Sequence, residues 1–174
     1  MEFMDVLLKR RSSRKFSDEK ITKDELDKIL KAGLLAPSSM NRKPVNFLVV
    51  ERKETLSQLA NAKDHGSELI AGADKAIVVI ADTMVADTWC EDSSIALTYL
   101  HLAATDLGIG SCWVQIHLRK KDGVDAEEIV RDIVKIDDHY RIVGIMALGH
   151  SDDIPDPHTI DDIDKEKIHF LVTA

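Results

Sequence analysis

Apolar positions fall into two rhythms along this chain, helical stripes and short continuous runs. Phe3, Val6 and Leu7 share a face, which predicts a short helix from Met4 to Arg11. Thr22-Lys23-Asp24-Glu25 reads as a capping box, in which the threonine hydroxyl accepts from the amide of Glu25 while the Glu25 carboxylate reaches back. The helix it opens carries Leu26, Ile29, Leu30 and Gly33 at helical spacing and ends before Pro37. Phe47-Leu48-Val49-Val50 predicts a buried strand, Thr55 to Ala62 a helix, and Ile77 to Ala81 a second strand. The longest helical pattern runs from about Ala86 to Leu107. Ile95, Leu97, Tyr99, Leu100, Leu102, Ala103, Ala104 and Leu107 wrap more than one of its faces, which predicts a central, nearly buried helix. Gly108 suits a left-handed position just past its end. Ser111 to Ile116 reads as a third strand, Val124 to Val134 as an amphipathic helix, and Arg141 to Leu148 as a fourth strand. Helices alternating with about four strands imply an α/β or α+β sandwich around one sheet, with the pairing directions open.

Composition narrows the setting. A chain of 174 residues suits one domain, 1–174, and buries roughly 70% of its unfolded surface without staples. Lys and Arg number 23 against 31 Asp and Glu, a formal charge of −8, which argues against nucleic-acid or anionic-membrane binding. The apolar run Ala76 to Ala81 is far too short to span a bilayer. Met1-Glu2-Phe3-Met4-Asp5 has acids where a secretory leader would have its apolar region, so a cytoplasmic location is expected. Cys90 and Cys112 suggest no disulfide framework.

Three segments carry candidate chemistry. Lys9-Arg10-Arg11-Ser12-Ser13-Arg14-Lys15 holds five cations in an acidic chain. Basic side chains at a helix C-terminus complement its dipole, but guanidiniums beside serine hydroxyls also bind phosphate through charge-assisted hydrogen bonds. A nucleic-acid patch is a third reading, without the interleaved aromatics it would use. Ala36-Pro37-Ser38-Ser39-Met40-Asn41-Arg42-Lys43-Pro44 is longer than a minimal helix-to-strand link and dense in donors. Gly108-Ile109-Gly110-Ser111-Cys112-Trp113-Val114 leads into a strand rather than a helix, so a dinucleotide-binding glycine loop fails on context.

In this order and spacing, these segments resemble the FMN-dependent nitroreductase family. Arg10-Arg11-Ser12-Ser13-Arg14-Lys15-Phe16 is similar to its Arg-Arg-Ser-x-Arg motif, and Pro37-Ser38-Ser39-Met40-Asn41-Arg42-Lys43-Pro44-Val45 to its Pro-Ser-Ser-x-Asn-x-Gln-Pro-Trp loop. Gly108 to Val114 matches a Gly-Leu-Gly-Ser/Thr-Cys-Trp-Ile element, and Leu148-Gly149-His150 a Leu-Gly-Tyr/His ending. The likeness spans about residues 3 to 150. It implies a homodimeric α+β fold: a three-layer α/β/α sandwich with a mixed, mainly antiparallel sheet around a long central helix. Two FMN molecules would sit at the subunit interface, with NADH or NADPH as electron donor and a nitroaromatic or quinone-type acceptor.

Carried over residue by residue, the resemblance gives Arg10, Ser12 and Arg14 to the flavin phosphate, ribityl chain and pyrimidine edge, with Arg11 assisting. Pro37, Ser38, Ser39 and Asn41 of the other subunit would line the opposite side of the ring. The strand at Trp113, Val114, Gln115 and Ile116 would approach N5, and Gly149 and His150 would close the phosphate side. The phosphate carries about two negative charges, and reduced flavin is anionic at N1, so Arg14 is the expected tuning cation. No side-chain nucleophile is required, because the cofactor carries the chemistry. A flavin-binding scaffold that retains the fold without turnover is the alternative.

Two departures stand out. Lys43 and Val45 replace the family's Gln and Trp, and the segment after the last strand offers only His158 where the family supplies a Lys or Arg to the phosphate. Seven histidines (65, 101, 117, 139, 150, 158 and 169) show no metal-ligand spacing, so no metal is expected. His101 and Cys112 read as packed residues, and Asp92 as a helix-dipole acid. Ile168, Phe170, Leu171 and Val172 of the acidic C-terminal segment are candidates for embracing a partner subunit.

Overall fold

A computed structural model describes residues 2–171. Helix α1 (Phe3–Lys9) and helix α2 (Lys23–Leu34) precede strand β1 (Val45–Val50), helix α3 (Lys53–Ala60), strand β2 (Lys75–Asp82) and the long helix α4 (Trp89–Asp106). Strand β3 (Gly110–Gln115) follows, then a small hairpin of β4 (Lys120–Lys121) and β5 (Val124–Asp125), helix α5 (Ala126–Val134) and strand β6 (Tyr140–Gly149). The main sheet runs β1-β2-β6-β3 with every neighbouring pair antiparallel. One parallel bridge, Ser12 to Ser111, adds the segment after α1 to the outer strand.

The central strands are buried on both sides, which is why they read as apolar runs. Ala76, Val78, Ile80, Ile145 and Ala147 face α3 and α5, packing with Leu56, Leu59, Ala126 and Val130. The alternate residues Ile77, Val79, Met146 and Leu148 face α2 and α4, packing with Ile29, Leu97, Leu100 and Ala104. This period of two divides the core into the two interfaces of a three-layer sandwich. Each fully buried Leu or Ile contributes about 1.5–3 kcal/mol.

Local chemistry sets the boundaries. The Thr22 box forms on both sides: Glu25 N–H donates to Thr22 Oγ1 at 3.2 Å, and the Thr22 amide to Glu25 Oε2 at 2.7 Å. Gly108 takes φ +74° after α4, as its position suggested. Gly144 is required by a close crossing, since a Cβ there would lie 2.6 Å from Trp113 Nε1.

Three expectations change. Helix α1 stops at Lys9 rather than Arg11, because Arg10 turns extended (φ −61°, ψ 111°) to carry the chain toward Ser111. The fifth helix starts at Ala126 rather than Val124, because Asp122 and Gly123, both with positive φ, form a two-residue hairpin turn. Helix α4 is buried on one face only: Tyr99 is 38% exposed, and with Phe3, Val6, Ala32, Leu102 and Ala103 it lines an apolar groove of about 400 Å³. Residues 152–171 contain no buried position, and Val172 lies outside the described residues.

Candidate functional site

The segment after α1 is extended, so successive side chains leave on opposite sides. The Ser13 amide donates to the Ser111 carbonyl at 2.9 Å and the Ser17 amide to the His150 carbonyl at 2.8 Å. Gly149 lies against Phe16, where a Cβ would come within 2.8 Å of the ring. Ser12, Gly149, His150 and the start of β3 are therefore brought together, while the Arg10 charge is felt by His101 of α4. Ser12 and Arg14 approach Cys112: burial pushes that thiol upward, while the Arg14 charge, the Ser12 hydroxyl and Lys63 oppose it. Arg11 leaves on the other side and donates to the main-chain oxygen of Asp156.

The electrostatics of this segment are unusual for a chain of charge −8. Among the described residues, Lys9, Arg10, Arg11 and Arg14 make no ion pair, and only Lys15 has one, to Asp153 at 2.7 Å. Four cations within six residues, none with a carboxylate partner among the described residues, give this segment capacity for anions. Strand β3 is the outer strand of the sheet, and segment 12–13 pairs only with its start. Main-chain groups along the outer edge beyond Ser111 are thus open to a ligand, while Val114 and Ile116 are buried in the α3/α5 layer. Trp113 Nε1 donates to Gln115 Oε1 at 3.0 Å, and Gln115 Nε2 to the His117 carbonyl at 3.1 Å, which fixes both side chains along the strand.

The Pro37–Asn41 loop lies elsewhere. Asp92, buried in the first turn of α4, accepts from the Ser39 amide at 2.9 Å and from Thr88 Oγ1 at 3.1 Å. The aspartate therefore does more than complement a dipole: it ties the loop to the helix. Ser38 Oγ accepts from the Lys43 amide at 2.9 Å. These bonds hold a backbone in which Met40, Asn41 and Lys43 all have φ between 51° and 55°, a left-handed conformation costly for side chains other than Asn. Pro37, Ser38 and Lys43 line a pocket of only about 60 Å³. The arginine segment meets α4 at His101, whose Nε2 lies 3.4 Å from the Arg11 carbonyl. Asp92 and His101 are nine residues apart on one helix, about 14 Å along its axis. A single chain does not bring the loop and the arginines into one site.

Lys63 was not singled out by the sequence. It is half-buried, and burial followed by the Arg119 charge lowers its pKa, with Glu68 and Cys112 acting against the shift. It belongs with Arg14 and Ser12 around Cys112, but no local pattern marks it, because its neighbours arrive from three distant parts of the chain. A second missed cluster is internally paired. Glu127 is buried, accepts from Arg141 Nε at 2.7 Å and from Arg141 Nη2 at 2.9 Å, and meets His117 Nδ1 at 2.5 Å. Burial raises its pKa, but Arg141, His117 and the Ile142 amide overcome that and bring it to about 2. Arg141 also sits 4.4 Å from the centre of the Trp89 ring.

Comparison with known proteins identifies the family. The profile of the Nitroreductase family matches residues 7–68 and 57–150.

The chain belongs to the nitroreductase family.

A protein of Archaeoglobus fulgidus named as an NADH dehydrogenase/NAD(P)H nitroreductase is 34% identical over 173 residues, covering 97% of each chain. A solved FMN-dependent nitroreductase from Clostridium difficile R20291 superposes with a TM-score of 0.94 at 40% identity, covering 98% of this chain and 99% of that one. A nitroreductase from Desulfovibrio desulfuricans, solved in complex with FMN, shares the fold at a TM-score of 0.73 and 24% identity, covering 87% of each. The nitroreductase-type α+β sandwich expected from the motifs is the fold of this chain.

Proposed function

We propose that this nitroreductase is a homodimeric, cytoplasmic FMN-dependent oxidoreductase that uses NADH or NADPH to reduce nitroaromatic or quinone-type acceptors. The observation that carries this reading is the pair Arg10 and Arg14, which make no ion pair among the described residues, beside the outer edge of β3. The donor set fits a flavin mononucleotide. Arg10, Ser12 and Arg14 supply charge-assisted bonds to a phosphate and a polar chain, Gly149 and His150 close that end, and Trp113 to Ile116 offer main-chain groups to a ring edge. Lys63 joins Arg14 as a cation suited to a ring that gains negative charge. A flavin held there by Arg10, Ser12 and Arg14 would supply two-electron chemistry between a reduced nicotinamide donor and the acceptor, in the ping-pong order expected for such an oxidoreductase.

The protein's own contribution is binding and electrostatics. Arg14 and Lys63 would favour negative charge on a bound ring, and Gln115, braced by Trp113, keeps the strand edge rigid. Two observations favour a second copy. The Pro37–Asn41 loop is held about 14 Å along α4 from the arginines, and among the described residues the outer face of α4 presents an apolar groove with Tyr99 38% exposed. A partner's Pro37, Ser38, Ser39 and Asn41 would then complete the pocket. No helix among the described residues is long and apolar enough to cross a membrane.

The test is spectroscopic. Protein as isolated, or reconstituted with FMN, is expected to show flavin absorbance that bleaches with NADH or NADPH and returns on adding menadione or a nitroaromatic. Failure to retain FMN, with no thermal shift at saturating flavin, removes the reading, because a ligand bound by the native state must raise apparent stability. Retained flavin without turnover selects the scaffold alternative.

A further inference from the structure

The side of segment 9–14 away from Ser12 and Arg14 faces a separate cleft of about 370 Å³. Lys9 and Arg11 line it, together with Ser13, Ile109, Ile154 and Asp156. Two of its charged groups are cationic and one is acidic. The acidic one, Asp156, uses its main-chain oxygen rather than its carboxylate to meet Arg11. Neither Lys9 nor Arg11 has a carboxylate partner among the described residues. Ser13 is 1% exposed and its Oγ is buried without a hydrogen-bond partner. A hydroxyl left in that state is costly to the fold unless something fills the gap. The isoleucines, with the prolines at 155 and 157, make the remaining wall apolar.

We propose that this cleft is a second binding site, distinct from the cofactor pocket, for a small organic anion. Its phosphate or carboxylate head would lie between Lys9, Arg11 and the Ser13 hydroxyl, and its apolar body against Ile109 and Ile154. Alternation along the extended segment sets the division of labour: Ser12 and Arg14 serve one side, Arg11 and Ser13 the other. The inference does not depend on the flavin reading, since every group in it is described without a cofactor.

Calorimetric titration of the protein as isolated, in phosphate-free buffer at fixed ionic strength, tests it. Phenyl phosphate, benzoate and inorganic phosphate are the probes. One saturable site per chain is expected, with the better aromatic probe bound about tenfold more tightly than inorganic phosphate because it also covers the apolar wall. Preference for phenyl phosphate assigns a phosphoryl head, preference for benzoate a carboxylate head, and either supports the site. Lys9→Ala and Arg11→Ala are each expected to weaken the better probe at least tenfold. Absence of saturation, or unchanged affinity in both variants, overturns the proposal. So does Lys9→Ala protein that loses bound flavin in step with the probe, because the cleft then belongs to the cofactor.

Discussion

The molecule holds two cation-rich regions that treat their charges in opposite ways. Around Glu127, every charge has a partner: Arg141 grips the carboxylate with two nitrogens, His117 closes on its other side, and the Ile142 amide adds a fourth donor at 3.2 Å. In segment 9–14, four cations stand without a carboxylate among the described residues. A saturated cluster is expensive to disturb and has no capacity left for a ligand, so it stitches α5 to β6 beneath the end of β3. An unsaturated one is self-repelling and is tolerated only because water screens it until an anion arrives. The same residue types thus serve structure in one place and binding in the other, and pairing separates the two roles better than composition does.

The sharpest way to break this contrast is to remove the unpaired charges. Arg10→Ala with Arg14→Ala deletes two charge-assisted contacts of about 1.5–3 kcal/mol each, so FMN affinity is expected to fall at least a hundredfold. Stability of the flavin-free protein should move by less than about 1 kcal/mol, because exposed charges without partners hold nothing together. Fluorescence titration of FMN and a urea melt of the apoprotein read the two quantities. An unchanged dissociation constant would return the segment to an ordinary helix end.

The converse substitution belongs to the paired region. Glu127→Gln leaves Arg141 and His117 facing a neutral amide in a site where the carboxylate is buried, and breaking such a pair costs about 3–5 kcal/mol. Urea unfolding is expected to show that loss, while the folded fraction keeps its FMN affinity. A stability change under about 1 kcal/mol would mean that the cluster is as solvent-screened as a surface pair.

How much of this was legible beforehand follows the range of each signal. The Thr22 box, the Gly108 cap and the two-sided burial of β2 and β6 are encoded within a few residues and were readable. The hairpin at Asp122-Gly123 was equally local, a two-residue Asp-Gly turn, but the helical periodicity from Val124 onward masked it. The arginine motif was found, yet its division into two sides was not. The helix predicted through Arg11 put Arg10 and Arg11 on a helical surface, whereas the bridge to Ser111 draws them into an alternating strand. Lys63, Glu127 and Arg141 acquire their roles only through contacts between distant segments, which no window of sequence contains. The apolar second face of α4 predicts burial within the chain, and the structure instead leaves it half-exposed.

His101 lies between the two regimes and gives the finest test. It is 6% exposed on α4, and its ring meets the Arg11 carbonyl, which can only accept, so Nε2 carries the proton. Burial, reinforced by the Arg10 charge, lowers its pKa from 6.5 to about 4, against the raising effect of the Arg11 carbonyl. Between those values the unfolded chain binds a proton that the native chain refuses, so stability falls as pH drops from 6.5 toward 4 and levels below it. Glu127 titrates mainly below this interval, and its contribution is common to the wild type and the variant compared. From pH 7 to pH 5 the His101 contribution amounts to about 2 kcal/mol. His101→Gln keeps a donor for the Arg11 carbonyl and removes the titration, so its unfolding free energy from urea melts is expected to fall less over that interval than the wild type's by this amount. Equal slopes for the two proteins would place the His101 ring in water, and with it the turn where α1 gives way to the arginine strand.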